Sequence, residues 1–181
     1  MKKFALVSLG LPPSQSGQSV VLYHLLKTIP PVAYCLITLR NFHLYHYLEQ
    51  CSNRLEGRYY FLSSEYQLVR HLVKAASFLS LRSLLSFALK IRIRQIKKIL
   101  VQEKVQVVIA STGDLFDPPA AFLAADELGI PVILYAFDYY SRQWTEPATR
   151  SFAEEFEDRI LHKSAQIIVP NECMAKEYTT R

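Results

Sequence analysis

Short runs of apolar, mostly β-branched residues alternate along this chain with stretches of helical period. Residues 3–8 read as a strand, and the two prolines in 9–16 (LGLPPSQS) exclude helix from the loop that follows. Gly17 opens a helical pattern that sets Val20, Val21, Leu25 and Leu26 toward a core and stops at Pro30. Residues 33–39 form a second strand. A polar, aromatic stretch, 41–57, reads as a short helix plus loop, and 58–62 as a third strand, edge-like because it carries Arg58, Tyr59 and Tyr60. Residues 65–76 have helical spacing, and 81–101 form a longer helix with Leu81, Leu84, Leu85, Ala88, Leu89, Ile96 and Ile99 on one side.

The centre of the pattern is 105–138, a strand, loop, helix, strand and loop in succession. Val107, Val108 and Ile109 make the continuous apolar run of a strand covered on both faces. Asp117 can accept from the first amides of the helix, where Pro118 and Pro119 need no donor, and Gly129 and Pro131 end it. The run 132–135 repeats the buried-strand pattern, and 166–169 repeats it again. Between them lie an aromatic loop, 139–144, and an amphipathic helix with Phe152, Phe156, Ile160 and Leu161 inward and Glu154, Glu155, Glu157 and Asp158 outward. Asn171 is a good N-cap for a last helix. These elements predict one α/β domain over 1–181: a three-layer α/β/α Rossmann-like sandwich with a mainly parallel sheet of strand order 3-2-1-4-5-6. Its ligand crevice should lie between the first and fourth strands, lined by 14–19 and 111–114.

Composition changes this picture in two places. The basic, apolar start MKKFALV has the outline of a signal peptide, but the run is short and no A-x-A site follows, so it reads as the first strand. The three cysteines, Cys35, Cys51 and Cys173, are widely spaced with no CxxC pair, which points away from zinc or a disulfide framework and toward a reducing, cytoplasmic setting. The net charge of +5 is concentrated: 77–104 carries Arg82, Lys90, Arg92, Arg94, Lys97, Lys98 and Lys104 against one acid, Glu103. Projected on the helix, Lys90, Arg94, Lys97 and Lys98 lie opposite the apolar side with Arg82 at its edge, while Arg92 points into the apolar face. That surface suits anionic lipid headgroups at the inner face of a membrane, or is simply a solvated face; with no interleaved aromatics, nucleic acid is not expected.

Candidate chemistry is sparse. His43 and His46 share a helical face but have no further ligand nearby, and His24, His71 and His162 have no evident partners, so no metal site is expected. The turn into Gly17 can present backbone amides to an anion, or can be an ordinary strand-to-helix turn.

In order and spacing, three stretches resemble the N-terminal domain of GT-B glycosyltransferases, particularly the large retaining family 4: ALVSLGLPPSQSGQSVVLYHLLKTI, VQVVIASTGDLFDPPAAFLAADELGIPVILYAFDYY and SAQIIVPNECMAKEY. The resemblance implies a domain that binds a sugar or lipid-linked acceptor. The nucleotide-diphosphate sugar would be held mainly by a second, C-terminal donor-binding half that has no counterpart in this sequence, so transfer would need both, and no resident cofactor is implied. It further implies that Ser16, Gly17, Gln18, Ser19, Gly113, Asp114, Asn171 and Glu172 contact substrate, and that Asp138 orients an acceptor hydroxyl at the catalytic position. Where the family commonly has a double glycine the chain has Ser16 and Gly17; where it has histidines the chain has Phe137 and Ser111, Thr112 and Gly113, which puts independent catalysis in doubt. Two alternatives remain. One is a catalytically silent subunit that docks a donor-binding chain and recruits it to the membrane. The other, a small enzyme with a nucleotide or dinucleotide cofactor, is disfavoured by the missing GxGxxG and the missing acid at Leu39 and Arg40.

Overall fold

The computed structural model describes residues 2–39, 53–63 and 78–180, with side chains of the long helix described from Arg82 onward. The expected helix at 65–76 and most of 41–57 lie outside these residues, as do His43, His46, Cys51 and His71. Six parallel strands, β1 (Phe4–Val7), β2 (Tyr34–Thr38), β3 (Arg58–Phe61), β4 (Val107–Ser111), β5 (Val132–Tyr135) and β6 (Gln166–Ile168), form one sheet. Their order, β3-β2-β1-β4-β5-β6, is the expected one. The start of the chain is the central strand, paired with β2 on one edge and β4 on the other.

Right-handed crossovers decide which side of the sheet each helix covers. Helices α2 (Phe78–Gln102), α3 (Asp117–Asp126), α4 (Pro147–Lys163) and α5 (Glu172–Thr179) pack on one side, here side A. They bury Ala5, Val7, Cys35, Ile37, Val108, Ala110, Val132 and Leu134. Helix α1 (Gly17–Leu26) packs on the other side, side B, over Leu6, Tyr34 and Leu36.

Three expectations need correction. Strands β4, β5 and β6 are not buried on both faces. Val108 is fully buried and Val132 and Leu134 nearly so, but Val107, Ile109, Ile133 and Tyr135 on side B are only partly covered, and Ile168 is exposed. Both connections from β4 through β6 run over side A, so among the described elements no helix lies over side B there. In α1, Ser19, Leu22 and Leu26 face the sheet, whereas Val20, Val21 and Leu25 are exposed. The helix is apolar on nearly all sides, so its pattern singles out no face, and its rotation is set instead by contacts of its first turn described below. In α4, Glu157 turns inward and is buried.

Candidate functional site

The crevice opens between the neighbouring strands β1 and β4, where the strand order reverses direction, at the carboxyl ends of the strands. Ser16 caps α1, its hydroxyl accepting from the Ser19 amide at 3.1 Å. The amides of Gly17 and Gln18 occupy the first turn, where a helix has no internal acceptor for them. Gln18 then reaches across the crevice: its Nε2 donates to Ser111 Oγ at 2.7 Å and lies 3.1 Å from both Ser8 Oγ and the Thr112 carbonyl oxygen. One side chain of α1 thus joins the ends of β1 and β4, which fixes the helix's rotation. Gly10 and Gly113 make room for it. A Cβ on Gly10 would stand 2.7 Å from Gln18 Oε1, and one on Gly113 3.3 Å from it; Gly113 also has φ +129°, which side-chain-bearing residues rarely adopt. The amide nitrogen of Gln18, one of the residues expected to contact substrate, is committed to the protein, and its Oε1 is what lies toward the two glycines.

Below Gly113 the loop is held by carboxylates. Asp114 Oδ1 accepts from the amides of Phe116 and Asp117 at 2.8 and 3.0 Å, so Asp114, not Asp117, caps the start of α3. Asp117 is instead fully buried and pairs with Arg92, whose Nη1 is 2.5 Å from its Oδ1 and 3.8 Å from Asp114 Oδ1. The misplaced arginine of the helical projection is thereby explained: it points into the apolar side to meet a carboxylate. Burial, and then the neighbouring Asp114, raise the Asp117 carboxyl above its ordinary range against the opposing pull of Arg92. Asp117 Oδ2 is buried without a hydrogen-bond partner.

Asp138 follows β5 on the crevice rim, exposed to solvent. Its amide and that of Phe137 donate to Thr112 Oγ1 at 3.3 and 3.0 Å, so the loops after β4 and β5 are pinned together and the carboxylate is left facing outward. Phe137 stacks on Tyr135 with ring centroids 4.2 Å apart. Farther along the same edge, Arg142 pairs with Glu177 and covers the Tyr139 ring, its guanidinium 4.2 Å from the ring centroid. Asn171 caps α5 as expected, Oδ1 accepting from Met174 N at 2.9 Å, and Glu172 beside it is exposed. The crevice therefore gathers Ser16 to Ser19, Gly113 and Asp114, with Asp138 on the neighbouring loop, while Asn171 and Glu172 stand beyond β6 at the far edge of the sheet.

Sequence reasoning missed Ser8, placed Ser111 and Thr112 on the crevice wall without their hydrogen-bonding role, and turned Glu157 outward. The first three form a legible signal once the strands are aligned, because each is a hydroxyl at or just past the last paired position of β1 or β4. Glu157 accepts from Ser141 N at 3.2 Å, Ser141 Oγ at 2.8 Å and Tyr178 OH at 3.3 Å, and so ties the aromatic loop to α4 and α5.

The basic helix α2 is only partly free. Arg82 pairs with Glu155 at 2.7 Å and Lys97 with Glu127 at 2.6 Å. Lys90, Arg94 and Lys98 are exposed on the same outer strip as Phe87 and Val101. Among the described residues no cluster of three His, Cys, Asp or Glu could hold a metal ion, and no helix is long and apolar enough to cross a membrane.

Comparison with known proteins adds the fold and its setting. No protein-family model and no curated protein matches the sequence. Solved structures do match in shape. The UDP-GlcNAc 2-epimerase of Methanocaldococcus jannaschii aligns over 99% of this chain and 42% of its own, with TM-score 0.58 and 18% identity. S. aureus MnaA, solved with UDP, aligns over 99% of this chain and 40% of its own, with TM-score 0.57 and 12% identity. The chain spans about two-fifths of the length of these structures and shares their Rossmann-like fold. Neither is one of the retaining glycosyltransferases that the sequence pattern resembles.

Proposed function

We propose that this chain is the acceptor-side half of a GT-B-like enzyme acting on nucleotide sugars, with glycosyl transfer as the reaction and a second α/β half as the holder of the nucleotide-diphosphate donor. The chemistry of the crevice carries this reading. Its rim offers carboxylates at Asp114 and Asp138, hydroxyls at Ser14 and Ser16, the Gln18 carbonyl and the Gly17 amide. Among the described residues, the cations Arg92 and Arg142 beside these loops are engaged with Asp117 and Glu177. A surface whose described residues are rich in acceptors and poor in available positive charge suits the hydroxyls of a sugar better than a diphosphate. The positive charge that stabilises a leaving diphosphate would come from the other half, and Asp138 would orient the attacking hydroxyl. Ser16 and Ser19 shape the first turn, and Gly113 keeps the wall low enough for a sugar ring to approach. Asn171 and Glu172, at the far edge, would serve contacts with the second half.

Ligand titration followed by amide NMR tests this. Free hexoses, UDP and a UDP-sugar are offered separately, and half a site should bind weakly, with Kd on the order of 1 mM. Shifts at Gly17, Gly113 and Asp138 that hexoses produce and Asp138→Asn weakens are the expected result. Shifts confined to other surfaces, or indifferent to both Asp138→Asn and Gln18→Ala, would sink the reading.

A second reading, a silent subunit that recruits a partner to a membrane, draws on α2. Phe87 and Val101, exposed by 62% and 59%, bracket Lys90, Arg94 and Lys98 on one strip. Each cation near an anionic surface contributes roughly 1 kcal/mol, so three give weak, salt-sensitive attachment. Co-sedimentation with anionic and neutral vesicles should show binding that Lys90, Arg94 and Lys98 changed to Gln abolish. The apolar flank on the last helix that this reading would also favour is absent, since Met174 and Tyr178 are buried.

A further inference from the structure

We propose that Asp114 and Asp117 share one proton next to Arg92, and that this proton holds the Gly113 to Asp114 wall of the crevice in place. Among the described residues, three carboxylates and one guanidinium face the buried space beneath that wall. Arg92 enters it from α2, buried, with Nη1 2.5 Å from Asp117 Oδ1 and 3.8 Å from Asp114 Oδ1. Asp117, at the start of α3, is fully buried, and the Asp114 side chain is 13% exposed. Glu157 comes from α4, also buried. Tyr140, on the loop after β5, is within electrostatic reach of all three acids, with its hydroxyl committed to the Leu115 carbonyl. With every acid ionised, the negative charges in this space would exceed the positive by two, and burial makes even one uncompensated charge costly.

The hydrogen bonds say which acid keeps a proton. Glu157 has donors at both oxygens, Ser141 N and Tyr178 OH at Oε1 and Ser141 Oγ at Oε2. Asp114 Oδ1 accepts from two backbone amides. Both arrangements favour the ionised form. Asp117 Oδ1 has Arg92, but its Oδ2 is buried without a hydrogen-bond partner. That oxygen is suited to carry a proton, and the Asp114 carboxylate is in hydrogen-bond reach of the Asp117 side chain to accept it. Asp114 then balances Arg92, and Glu157 keeps its neutral donors.

The same residues build the wall. Asp114 caps α3, and Gly113 before it brings the chain against Gln18 Oε1. Loss of the proton sets a second negative charge beside Asp114, which is the most exposed member of the cluster and so the one free to yield. Its cap on α3 then loosens, and the wall with it. Arg92 and Asp117 are in this sense positioning residues, acting through Asp114. That a looser wall weakens ligand binding rests on the crevice being the site proposed above; the shared proton and its hold on the wall do not.

The test is an NMR titration of the unliganded chain from about pH 4 to 8.5, following the aspartate carboxyl carbons and the amides of Gly113 and Phe116. The Asp117 carboxyl should titrate well above the ordinary aspartate value of about 3.9, and the two amides should shift with the same midpoint. Protection of the Phe116 amide against hydrogen exchange should fall several-fold across it. Asp117→Asn puts an N–H that cannot be lost in place of the shared proton, while its oxygen still accepts from Arg92. It should remove the common midpoint from both amides and keep the wall as it stands at low pH. Asp114→Asn carries the same test should that variant not fold: it removes the neighbouring charge, so the Asp117 midpoint should move down. Hexose binding that weakens at the higher pH in the wild type and not in Asp117→Asn is expected as well; with no hexose bound at any pH the ligand reading falls, and the midpoints of the unliganded chain still carry the shared proton. An Asp117 carboxyl already ionised at the acid end of the range, or Gly113 and Phe116 amides that ignore its midpoint, overturns the proposal.

Discussion

The two halves of the sheet are written in nearly the same residues and buried differently. In β2, five consecutive residues from Tyr34 to Thr38 are buried on both faces, by α1 on side B and by α2 on side A. In β4 and β5 the alternate residues Val107, Ile109, Ile133 and Tyr135 keep part of their surface open. An apolar run therefore reports the environment a strand is suited to, whereas the direction of its crossovers decides which cover the chain itself supplies. The half that moves from β1 to β3 has its helix on side B, and the half that moves from β4 to β6 has its helices on side A.

The largest effect should come from the pair that secures the closed side. Removing the cation with Arg92→Met leaves Asp117 buried without its partner, and breaking such a pair costs about 3–5 kcal/mol. Urea unfolding would measure it; a loss near zero would mean that water reaches the pair. The next largest effect tests the comparison itself. Leu36→Ala, at a position with no exposure, should cost about 2–5 kcal/mol, because it opens a cavity between two layers. Ile133→Ala removes the same number of atoms from a face already partly in water, and should cost under half as much. Equal losses would show that side B is covered after all.

What the sequence could convey follows the same division. Strand identity, strand order, the Asn171 cap and the inward turn of Arg92 were all legible, because each depends on local pattern or on a right-handed crossover. The rotation of α1 was not, since Val20, Val21, Leu22, Leu25 and Leu26 surround the helix and only Gln18's reach to Ser111 and Thr112 selects a face. The exchange of roles between Asp114 and Asp117 was hidden for a similar reason. Either carboxylate could cap α3, and which one does so depends on Arg92, twenty-five positions earlier in the chain. Crevice residues were named correctly as neighbours, but the hydroxyls of Ser8, Ser111 and Thr112 emerge only when β1 and β4 are laid in register.

A smaller effect contrasts two acids at opposite ends of the strands. Glu103 receives Lys3, Arg58 and Tyr60 below β1 to β3; burial alone would push its carboxyl up, but the hydrogen bonds of Lys3 and Tyr60 and the two positive charges outweigh it and hold it below the ordinary range. Its contribution is present above the carboxylate's unfolded pKa of about 4.3 and is lost as pH falls through the lower folded value. Asp117 runs the other way. Its raised pKa means that the folded state holds a proton that the unfolded state has given up, so stability falls as pH rises from about 4 toward the raised value of about 7. Glu103→Gln should therefore flatten the acid limb of a stability–pH curve, and Asp117→Asn the limb between weakly acid and neutral pH. Chemical denaturation across pH 3 to 8 would check both, and identical slopes in wild type and Asp117→Asn would show that Arg92 keeps the carboxylate ionised throughout.

The smallest effect sharpens the comparison most, because it asks how bare the open strip is in the single chain. Ile168 ends β6 at the sheet's edge, paired with Tyr135 and exposed by 36% on side B. A threonine there keeps the β-branched shape that suits a strand and replaces apolar surface that already meets water. Ile168→Thr should change unfolding free energy by no more than about 0.5 kcal/mol, the usual range for a surface site. A fully buried isoleucine of the closed half is Ile37, in the side A core, where the same exchange would bury a hydroxyl among aliphatic neighbours and should cost several times as much. A loss at Ile168 comparable with that at Ile37, measured by urea titration at about micromolar protein, would mean that the β4 to β6 strip is packed within the single chain and that the two halves differ less than their exposures imply.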